Sequence, residues 1–306
     1  MQIEVSIVIV NYNTYRLIQN CLKSVYEQTK DIDFEVIVSD NGSIDGSIEM
    51  IKQEFPQVIL IENNANLGFG AANNRGLKLA KGKYIFYLNS DTILLNNAVK
   101  AFYDFWEKSS EKDKIGALGA NLLNGEGEIT HSYGRFPRVW NEIRMMIRRI
   151  IITDIKLILK LLCIDYRKYK NKVVYSKHIG EVEYITGADL FVKNNDFAYY
   201  DERFFLYYEE TNMQWQMMKN GLKRLIIDGP QIIHLEGGSD KKTKDGNIED
   251  YISFGTIQSD LSRIKFFKYN VSYFYSRVLK VLLFLFWVKP GLYKKTKLYR
   301  NKLRNL

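Results

Sequence analysis

The sequence predicts an α/β fold in which a mostly parallel sheet, flanked by helices, is followed by a C-terminal helical extension. Along residues 5–89, apolar runs suited to strands buried on both faces alternate with segments of helical spacing. Alternating strands and helices form βα units, whose strands run parallel. From residue 241 onward the pattern changes to a basic and aromatic extension.

Each element follows from its own residue pattern. Strands are expected at residues 5–10, 34–39, 58–62 and 84–89, with helices at 15–28, 47–55 and 70–80 between them. A helix at 98–108, an apolar segment at 115–122, strand-like segments at 183–186 and 190–193, a helix at 211–220 and a strand at 225–228 complete the body. Ligands bind beyond the carboxyl ends of such strands, so we expect several loops to meet at one edge. These loops contain Asn11, Asp40, Asn66 and Asp91.

Composition divides the chain into a body, residues 1–240, and an extension, residues 241–306. The extension holds 15 Lys and Arg against 4 Asp and Glu, compared with 29 against 31 in the body. Such a basic and aromatic tail either packs on the body as a solvated helix or meets an anionic membrane surface. An amphipathic, basic insertion at about 139–164 is open to the same two interpretations.

Several classes of protein are disfavoured. Cys21 and Cys163 are the two cysteines and form no CxxC pair, so we expect a reducing compartment and neither a disulfide scaffold nor a zinc site. The N-terminus lacks the features of a secretory signal, and the apolar run at 281–288 is too short to span a bilayer. We therefore expect a cytoplasmic protein with no nucleic-acid partner, and peripheral attachment to the inner face of the plasma membrane is one of the two interpretations of its tail.

Two segments of the first half can bind a nucleotide. Asp40 ends a predicted strand, and its carboxylate can accept hydrogen bonds from a base or a ribose, although turn and capping chemistry accounts for the segment as well. The glycines of residues 66–76 lie in the wrong place for a dinucleotide fingerprint, and the third glycine is missing. Its backbone N–H groups, at the start of a helix, can bind a phosphate, and the side chains of Asn73 and Arg75 can extend toward a base or a phosphate. Alternatively, the segment only caps the helix.

Three further segments offer metal or acid–base chemistry. Asp91 ends an apolar strand in LNSDT and can hold Mg²⁺ or Mn²⁺ against a diphosphate, unless the segment is only a turn. Glu209 and Glu210 follow an aromatic run, where desolvation and mutual repulsion can raise the pKa of one of them to a value that suits a general base. Alternatively, the two acids stand there only because the helix macrodipole favours negative charge in the first turn. His234 follows a strand and either binds the metal or a phosphate or is structural.

In this order the motifs resemble those of the inverting glycosyltransferases of family 2, which have the GT-A fold, and within them the rhamnosyltransferase-like members. The matching segments are SIVIVNYN at 6–13, DNGSIDGS at 40–47, NLGFGAANNRG at 66–76, LNSDT at 88–92, TGADLFVKN at 186–194, and the stretch from DERFFLYYEE to IIHLEGGS. The resemblance covers residues 3–240.

The resemblance implies roles for individual residues. The donor nucleotide sugar would be held by Val10, Asn11, Asp40, Gly42, Asn66, Arg75, Asn89, Ser90 and Asp91. Asp91 would be the main metal carboxylate, because Asn89 stands where the family often has an acid, and His234 would lie near the metal.

The base is implied in the same way. Glu210 would be the general base, preceded by Glu209, at a position where the family usually has Asp. Asn212 and Gln216 replace a common acid and a common Arg, so the family contacts of those positions are in doubt.

The implied reaction is inverting transfer of rhamnose or a hexose from dTDP-rhamnose or a UDP-sugar to a hydroxyl of a polysaccharide or polyprenyl-linked glycan of the cell envelope. Glu210 would deprotonate that hydroxyl, and Mn²⁺ or Mg²⁺ at Asp91 would stabilise the leaving diphosphate. Two alternatives remain, namely a nucleotidyltransferase and a non-catalytic protein that binds sugar nucleotides or glycans.

Overall fold

The computed structural model describes residues 2–161, 174–235, 253–289 and 292–306. They form two compact units. The first unit comprises Met1–Phe136, Val174–Phe205 and Glu209–Lys241, and the second comprises Pro137–Val173, Leu206–Tyr208 and Lys242–Leu306. The boundary that composition places at 240/241 lies outside the described residues, as does the end of the insertion at 162–164. The described part of that insertion groups with the C-terminal helices.

The strands belong to the first unit. They are β1 (Val5–Asn11), β2 (Phe34–Asp40), β3 (Ile59–Glu62), β4 (Tyr84–Asn89), β5 (Thr92–Leu94), β6 (Ile115–Gly119), β7 (Tyr133–Gly134), β8 (Gly180–Val182), β9 (Tyr184–Ile185), β10 (Asp189–Lys193), β11 (Lys223–Ile226) and β12 (Ile232–His234). Eight of them form one sheet in the order β3-β2-β1-β4-β10-β6-β11-β8, while β12 pairs with β5 and β7 pairs with β9.

The helices are divided between the units. The first unit contains α1 (Tyr15–Gln28), α2 (Ser47–Glu54), α3 (Phe69–Leu77), α4 (Ala98–Lys108) and α6 (Glu209–Lys219). The second contains α5 (Val139–Leu161), α7 (Phe254–Asn270), α8 (Tyr273–Trp287) and α9 (Tyr293–Arg304). The predicted C-terminal helices are therefore present.

The sheet is mixed but mostly parallel, as the sequence predicts. Strands β3, β2, β1 and β4 run parallel to one another, and β11 runs parallel to β6. Strand β10 is antiparallel to both of its neighbours, β4 and β6, and β8 is antiparallel to β11. The parallel half forms because each strand returns through a helix, whereas β10 enters the sheet after a long excursion of the chain.

Strand β1 is the third strand of the eight-stranded sheet, and its residues are buried on both faces. Ile7 and Ile9 belong to one apolar cluster, which includes the buried side of α1, and Val8 belongs to the cluster on the opposite face. All three side chains are fully buried. Burying one such side chain contributes about 1.5–3 kcal/mol, so this short segment anchors the sheet and fixes the position of the residues that follow it.

The second unit is a helical assembly in which α5 packs against α7 and α8. The Arg149 guanidinium of α5 bonds both carboxylate oxygens of Asp260, at 2.8 and 2.9 Å, and lies 4.3 Å from the ring centroid of Phe286. Leu279, Leu283 and Trp287 of α8 are buried. Among the helices described, none has the length and apolar character needed to cross a bilayer.

Candidate active site

The register of the sheet brings the predicted donor-binding residues level with one another. Asn11 at the end of β1 pairs with Asp40 at the end of β2, and Val10 pairs with Asn89 at the end of β4. The carboxyl ends of these three strands therefore meet at one edge of the sheet. The loops that follow them start from this edge.

Asn11 and Asp40 form a buried hydrogen-bonded pair. The Asn11 Nδ2 donates to Asp40 Oδ2 at 2.7 Å, and the other carboxylate oxygen of Asp40 accepts from the backbone N–H groups of Gly42 and Ser43 at 2.9 and 2.8 Å. Because both side chains are fully buried, the carboxylate fixes the loop after β2. The predicted contact of Asp40 with the nucleotide stays a prediction.

Gly42 is required by this loop. Its φ is +80°, and a Cβ at this position would lie 2.9 Å from the backbone nitrogen of Ala65. A side chain here would therefore meet both backbone strain and a clash with the loop after β3. The glycine allows the loops after β2 and β3 to approach closely.

Thr14 links the loop after β1 to the loop after β4, a connection that the sequence analysis missed. Its hydroxyl lies 2.5 Å from Asn11 Oδ1 and 3.2 Å from Ser90 Oγ. Thr14 also precedes α1, but its side chain makes no capping bond there. A threonine just before a predicted helix suggests a cap, so the sequence contains no signal for the contact it makes instead.

Asn66 and Arg75 lie at opposite ends of the segment around α3. Asn66 Oδ1 accepts from the Gly68 N–H at 3.0 Å and so shapes the turn that starts the helix. Arg75 is exposed in the last turn of α3, where hydrogen bonding from Asn74 and the positive charge of Arg75 both lower the pKa of Glu202. The described interaction of Arg75 is thus with Glu202, and its predicted contact with the donor stays a prediction.

Asp91 and His234 come together although 143 positions separate them (234 − 91). The His234 Nε2 lies 3.3 Å from Asp91 Oδ1, and the backbone N–H of Leu235 donates to the Asp91 carbonyl at 2.9 Å. Pairing of β12 with β5 aligns His234 with Thr92 and so fixes this approach. Both side chains are 14% exposed, which leaves them accessible at a mostly buried position.

The Asp91–His234 pair has the chemistry of a small cation site. Within the described chain, His234 Nδ1 and Asn89 Oδ1 are buried without a hydrogen-bond partner. Carboxylate oxygen and imidazole nitrogen suit Mn²⁺, and Mg²⁺ is usually bound by one or two carboxylates with phosphates and waters completing its shell. The described residues contain no group of three or more His, Cys, Asp and Glu side chains placed around a metal position. A bound diphosphate would therefore have to supply further ligands.

Glu209 and Glu210 begin α6, two residues earlier than the sequence predicts. Glu209 is buried next to α3, since a Cβ built on Gly70 would lie 3.5 Å from the Cβ of Glu209. Glu210 is half-buried, and desolvation raises its pKa above the usual value of a glutamate. Of the two, Glu210 combines partial exposure with the raised pKa expected of a general base.

Two adjacent residues connect the candidate base with the candidate metal site. A Cβ on Gly187 would lie 3.6 Å from Glu210 Cγ, and the carbonyl of Ala188 accepts the N–H of Asn89 at 3.0 Å. Consecutive Cα atoms are about 3.8 Å apart, so the start of α6 and the end of β4 flank the same short segment. The segment belongs to the TGADLFVKN motif, and Gly187 and Ala188 contribute to the site through their backbone and not through a reactive side chain.

Two buried polar residues hold this segment and were not singled out by sequence. Gln214 of α6 accepts from the N–H of Ile185 and donates to its carbonyl, both at 2.8 Å. Asp189 is fully buried and accepts from the N–H of Ala120 at 2.6 Å, and burial raises its pKa well above that of an ordinary aspartate. Both act through backbone partners far away in sequence, which no local pattern reveals.

Comparison with known proteins finds a family model that matches the region containing β1 to β4. Residues 6–155 match the model of the glycosyl transferase family 2. The poly(ribitol-phosphate) beta-glucosyltransferase of Bacillus spizizenii is 35% identical over 129 residues, which are 40% of this chain and 20% of that protein. The chondroitin synthase of Escherichia coli is 30% identical over 223 residues, or 65% of this chain and 32% of that protein. The chain thus spans about a fifth to a third of the length of these relatives.

Solved structures share the fold. The mannosyltransferase PcManGT from Pyrobaculum calidifontis, in complex with GDP-Man and Mn²⁺, superimposes with a TM-score of 0.54 at 14% identity, covering 93% of this chain and 70% of that one. TarS of S. aureus gives a TM-score of 0.52 at 14% identity, over 92% of this chain and 42% of that one. Residues 6–155 thus match the glycosyl transferase family 2 model, and the chain has a GT-A-like fold.

Proposed function

We propose that this protein is a metal-dependent, inverting glycosyltransferase that moves a sugar from a nucleotide diphosphate donor to a hydroxyl of a glycan acceptor. One observation carries the proposal: Glu210 and the Asn89–Asp91 loop flank the Gly187–Ala188 segment. A candidate base and a candidate site for the leaving diphosphate thus lie on either side of one short backbone segment. Relatives and structural neighbours whose names specify sugar transfer or bound GDP-Man support the same activity.

Glu210 acts as the general base. Its raised pKa makes the ionised carboxylate a stronger base toward an acceptor hydroxyl. As Glu210 takes the proton, the hydroxyl oxygen attacks the anomeric carbon on the face opposite the nucleotide, and the bond from that carbon to the diphosphate breaks. One displacement inverts the configuration. Glu209, which is buried beside Gly70, supports the position of this helix start.

The other residues of the site bind and orient the donor. Asp91 and His234 would hold a divalent cation, which would neutralise the charge of the leaving diphosphate when bound. The nucleotide rests on the loops that follow β1 and β2, where the Asn11–Asp40 pair keeps the backbone fixed. Preorganised loops of this kind lower the entropic cost of binding.

The donor and the acceptor are proposed by chemical class. A dTDP- or UDP-sugar is the donor, with rhamnose or a hexose transferred, and a polysaccharide or polyprenyl-linked glycan is the acceptor. We also propose that transfer takes place at the cytoplasmic face of the plasma membrane, where a polyprenyl-linked acceptor is found. A thermal-shift screen of UDP-, dTDP- and GDP-sugars with and without Mn²⁺ identifies the donor, because a ligand that binds the native state stabilises it.

Substitution of the base and of the metal carboxylate tests the proposal. We expect Glu210→Gln and Asp91→Ala each to lower the turnover of nucleoside diphosphate release by about 10² or more, the usual contribution of a general base or a metal ligand. Asp91→Ala should also abolish the stabilisation by Mn²⁺ with UDP, whereas Glu210→Gln should retain it.

The matched control is Glu126→Gln, which removes an exposed carboxylate outside the site. Its turnover should equal that of the unaltered chain. Near-normal transfer by purified Glu210→Gln would remove that residue from the mechanism. Donor binding without any transfer by the unaltered chain, across a panel of acceptors, would favour the non-catalytic alternative.

A further inference from the structure

One face of α5 carries large apolar side chains that are exposed. Successive residues of an α-helix are about 100° apart around its axis. The spacing of these exposed side chains therefore places them all within about 80° of one another. Their exposed fractions range from 42% to 70%. At a rise of about 1.5 Å per residue, the stripe is about 27 Å long. We call it the outward face of α5, and it consists of Trp140, Ile147, Ile151, Ile155 and Ile158.

The opposite face of α5 makes specific contacts within the second unit. Met146 is buried, and Arg149 pairs with Asp260. Of the two acidic residues of α5, Glu142 lies away from the outward face and pairs with Arg263. Asp154 borders that face, its side chain is 55% exposed, and it pairs with Lys289. The helix is thus held by one face through specific contacts, and its outward face does not contribute to those contacts.

The outward face is basic as well as apolar. Arg144 and Arg148 are exposed and lie along the same side of the helix as the isoleucines. A symmetric contact between two copies of this chain that placed the arginines opposite one another would bring like charges together, which is unfavourable. An anionic lipid surface instead matches the arginines with phosphate groups and accepts the isoleucine side chains between its headgroups.

Helix α8 of the same unit repeats this composition. Phe274, Val281 and Leu285 are 50% to 68% exposed, and Arg277 is exposed among them. Their spacing of seven and four residues places them on one side, while Leu279, Leu283 and Phe286 on the other side are buried. Two helices of one unit therefore expose apolar residues mixed with arginine.

We propose that the outward face of α5 docks the second unit onto an anionic phospholipid bilayer, with the helix lying in the plane of the interface. Tryptophan at one end and arginines along the stripe are typical of a helix that lies on a membrane. The inference extends the membrane location given under the proposed function by naming the surface, and it differs from attachment through the tail alone. Because docking needs no catalysis, it is tested by binding without a donor or an acceptor.

The experiment is flotation of the full chain with vesicles of phosphatidylcholine and phosphatidylglycerol, compared with vesicles of phosphatidylcholine alone. We expect binding to the anionic vesicles, weakened by added salt. Ile151→Ser with Ile155→Ser should lower the bound fraction about tenfold or more, since interfacial binding scales with buried apolar area. Arg144→Gln with Arg148→Gln should remove the preference for anionic lipid.

Matched controls are Ile179→Ser and Arg16→Gln, which alter exposed residues of the first unit and should leave flotation unchanged. All variants replace exposed side chains, and equal melting temperatures confirm that they fold. Absence of flotation by the unaltered chain overturns the proposal. So does loss of binding only when Phe274 and Val281 of α8 are replaced by serine. A lipid-free dimer that becomes a monomer on Ile151→Ser with Ile155→Ser, without vesicle binding by either form, assigns the face to a second copy instead.

Discussion

At the scale of single residues, the most consequential feature is the protonation of Glu210. Burial raises its pKa, so the folded chain binds this proton more tightly than the unfolded chain does. The associated stability is fully present below the pKa of the unfolded chain and is lost as the pH rises through the folded value. A base that must be ionised to act therefore lowers the stability of the protein at neutral pH.

This cost can be measured with Glu210→Gln, which removes the ionisation. We expect the variant to melt at a higher temperature than the unaltered chain at neutral pH. The difference should shrink as the pH falls through the raised pKa of folded Glu210 and should be gone below about 4.3, the usual pKa of glutamate in an unfolded chain. Differential scanning calorimetry over that range checks the prediction. Glu126→Gln, which alters an exposed glutamate of the first unit, is the matched control. A variant that is less stable at neutral pH would show that Glu210 stabilises the fold in its ionised form.

Residues of the candidate site differ in how far sequence could find them. Asp91 and His234 stand in recognisable motifs, and the structure brings them to 3.3 Å as the resemblance implies. Thr14 and Gly187 act through a hydroxyl contact and through the absence of a side chain, and both depend on partners more than twenty positions away. Sequence patterns report local periodicity, so they identify reactive side chains more readily than the residues that position them.

At the scale of elements, the sequence predicts the bounds of a helix or strand best where its side chains are buried. The bounds of α1, β4 and α4 match the sequence prediction because buried, periodic residues fill each segment from end to end. Strand β10 is also expected near its observed place, but its antiparallel insertion between β4 and β6 depends on pairing across about a hundred residues. The strand expected at 183–186 is observed as the shorter β9, and β8 precedes it. The two strands pair with different partners, β7 and β11, which local sequence does not reveal.

The segment that leads into α6 is strained and is held by tertiary contacts. Tyr207 and Tyr208 have φ values of +65° and +71°, which are uncommon for residues other than glycine and cost about 1–3 kcal/mol each. Within the second unit, Ser262 donates to the Leu206 carbonyl at 3.0 Å, and the Arg263 Nε donates to the Tyr208 hydroxyl at 3.0 Å. Burial raises the pKa of Tyr208 to about 12, so its hydroxyl is neutral and accepts this bond. Glu209 follows Tyr208 directly, so these contacts help to set where the helix begins.

Tyr208→Phe removes the bond from Arg263 while keeping the ring that packs 5.8 Å from Phe266. We expect a loss of about 1 kcal/mol in the free energy of unfolding, the usual value of one hydrogen bond. The kcat of transfer should fall about three- to tenfold with an unchanged KM for the donor, because Glu210 is displaced slightly while the nucleotide loops are not. Steady-state kinetics and urea unfolding measure both effects.

The control is Tyr273→Phe, which alters an exposed tyrosine at the start of α8 and should change neither quantity. A lower unfolding free energy with an unchanged kcat would limit Tyr208 to a structural role.

At the scale of the whole molecule, the grouping of residues cuts across the division that composition suggests. Sequence places the catalytic body in residues 1–240, because all of the family motifs fall there. The structure instead groups Pro137–Val173 and Leu206–Tyr208 with the C-terminal residues from 242 onward. Charge and motifs indicate which segments have chemical roles. Which segments pack together depends instead on which apolar faces bury one another. The basic tail and the amphipathic insertion are thus parts of one helical unit.

This grouping predicts that residues 1–241 alone will not support full transfer, although they contain Asp91, Glu210 and His234. Removing residues 242–306 takes away the partners of Arg149 and Tyr208, namely Asp260 and Arg263, and leaves buried groups of α5 exposed to water. We expect the shortened chain to aggregate or to melt at a lower temperature, and to show at least about tenfold lower turnover per folded molecule, since misplacement of a catalytic group by about 1 Å can cost 10²-fold. Size-exclusion chromatography, thermal melting and nucleoside diphosphate release, measured on both chains, provide the comparison. A soluble, monomeric chain of residues 1–241 with unchanged turnover would mean that the first unit positions Glu210 without help from α7.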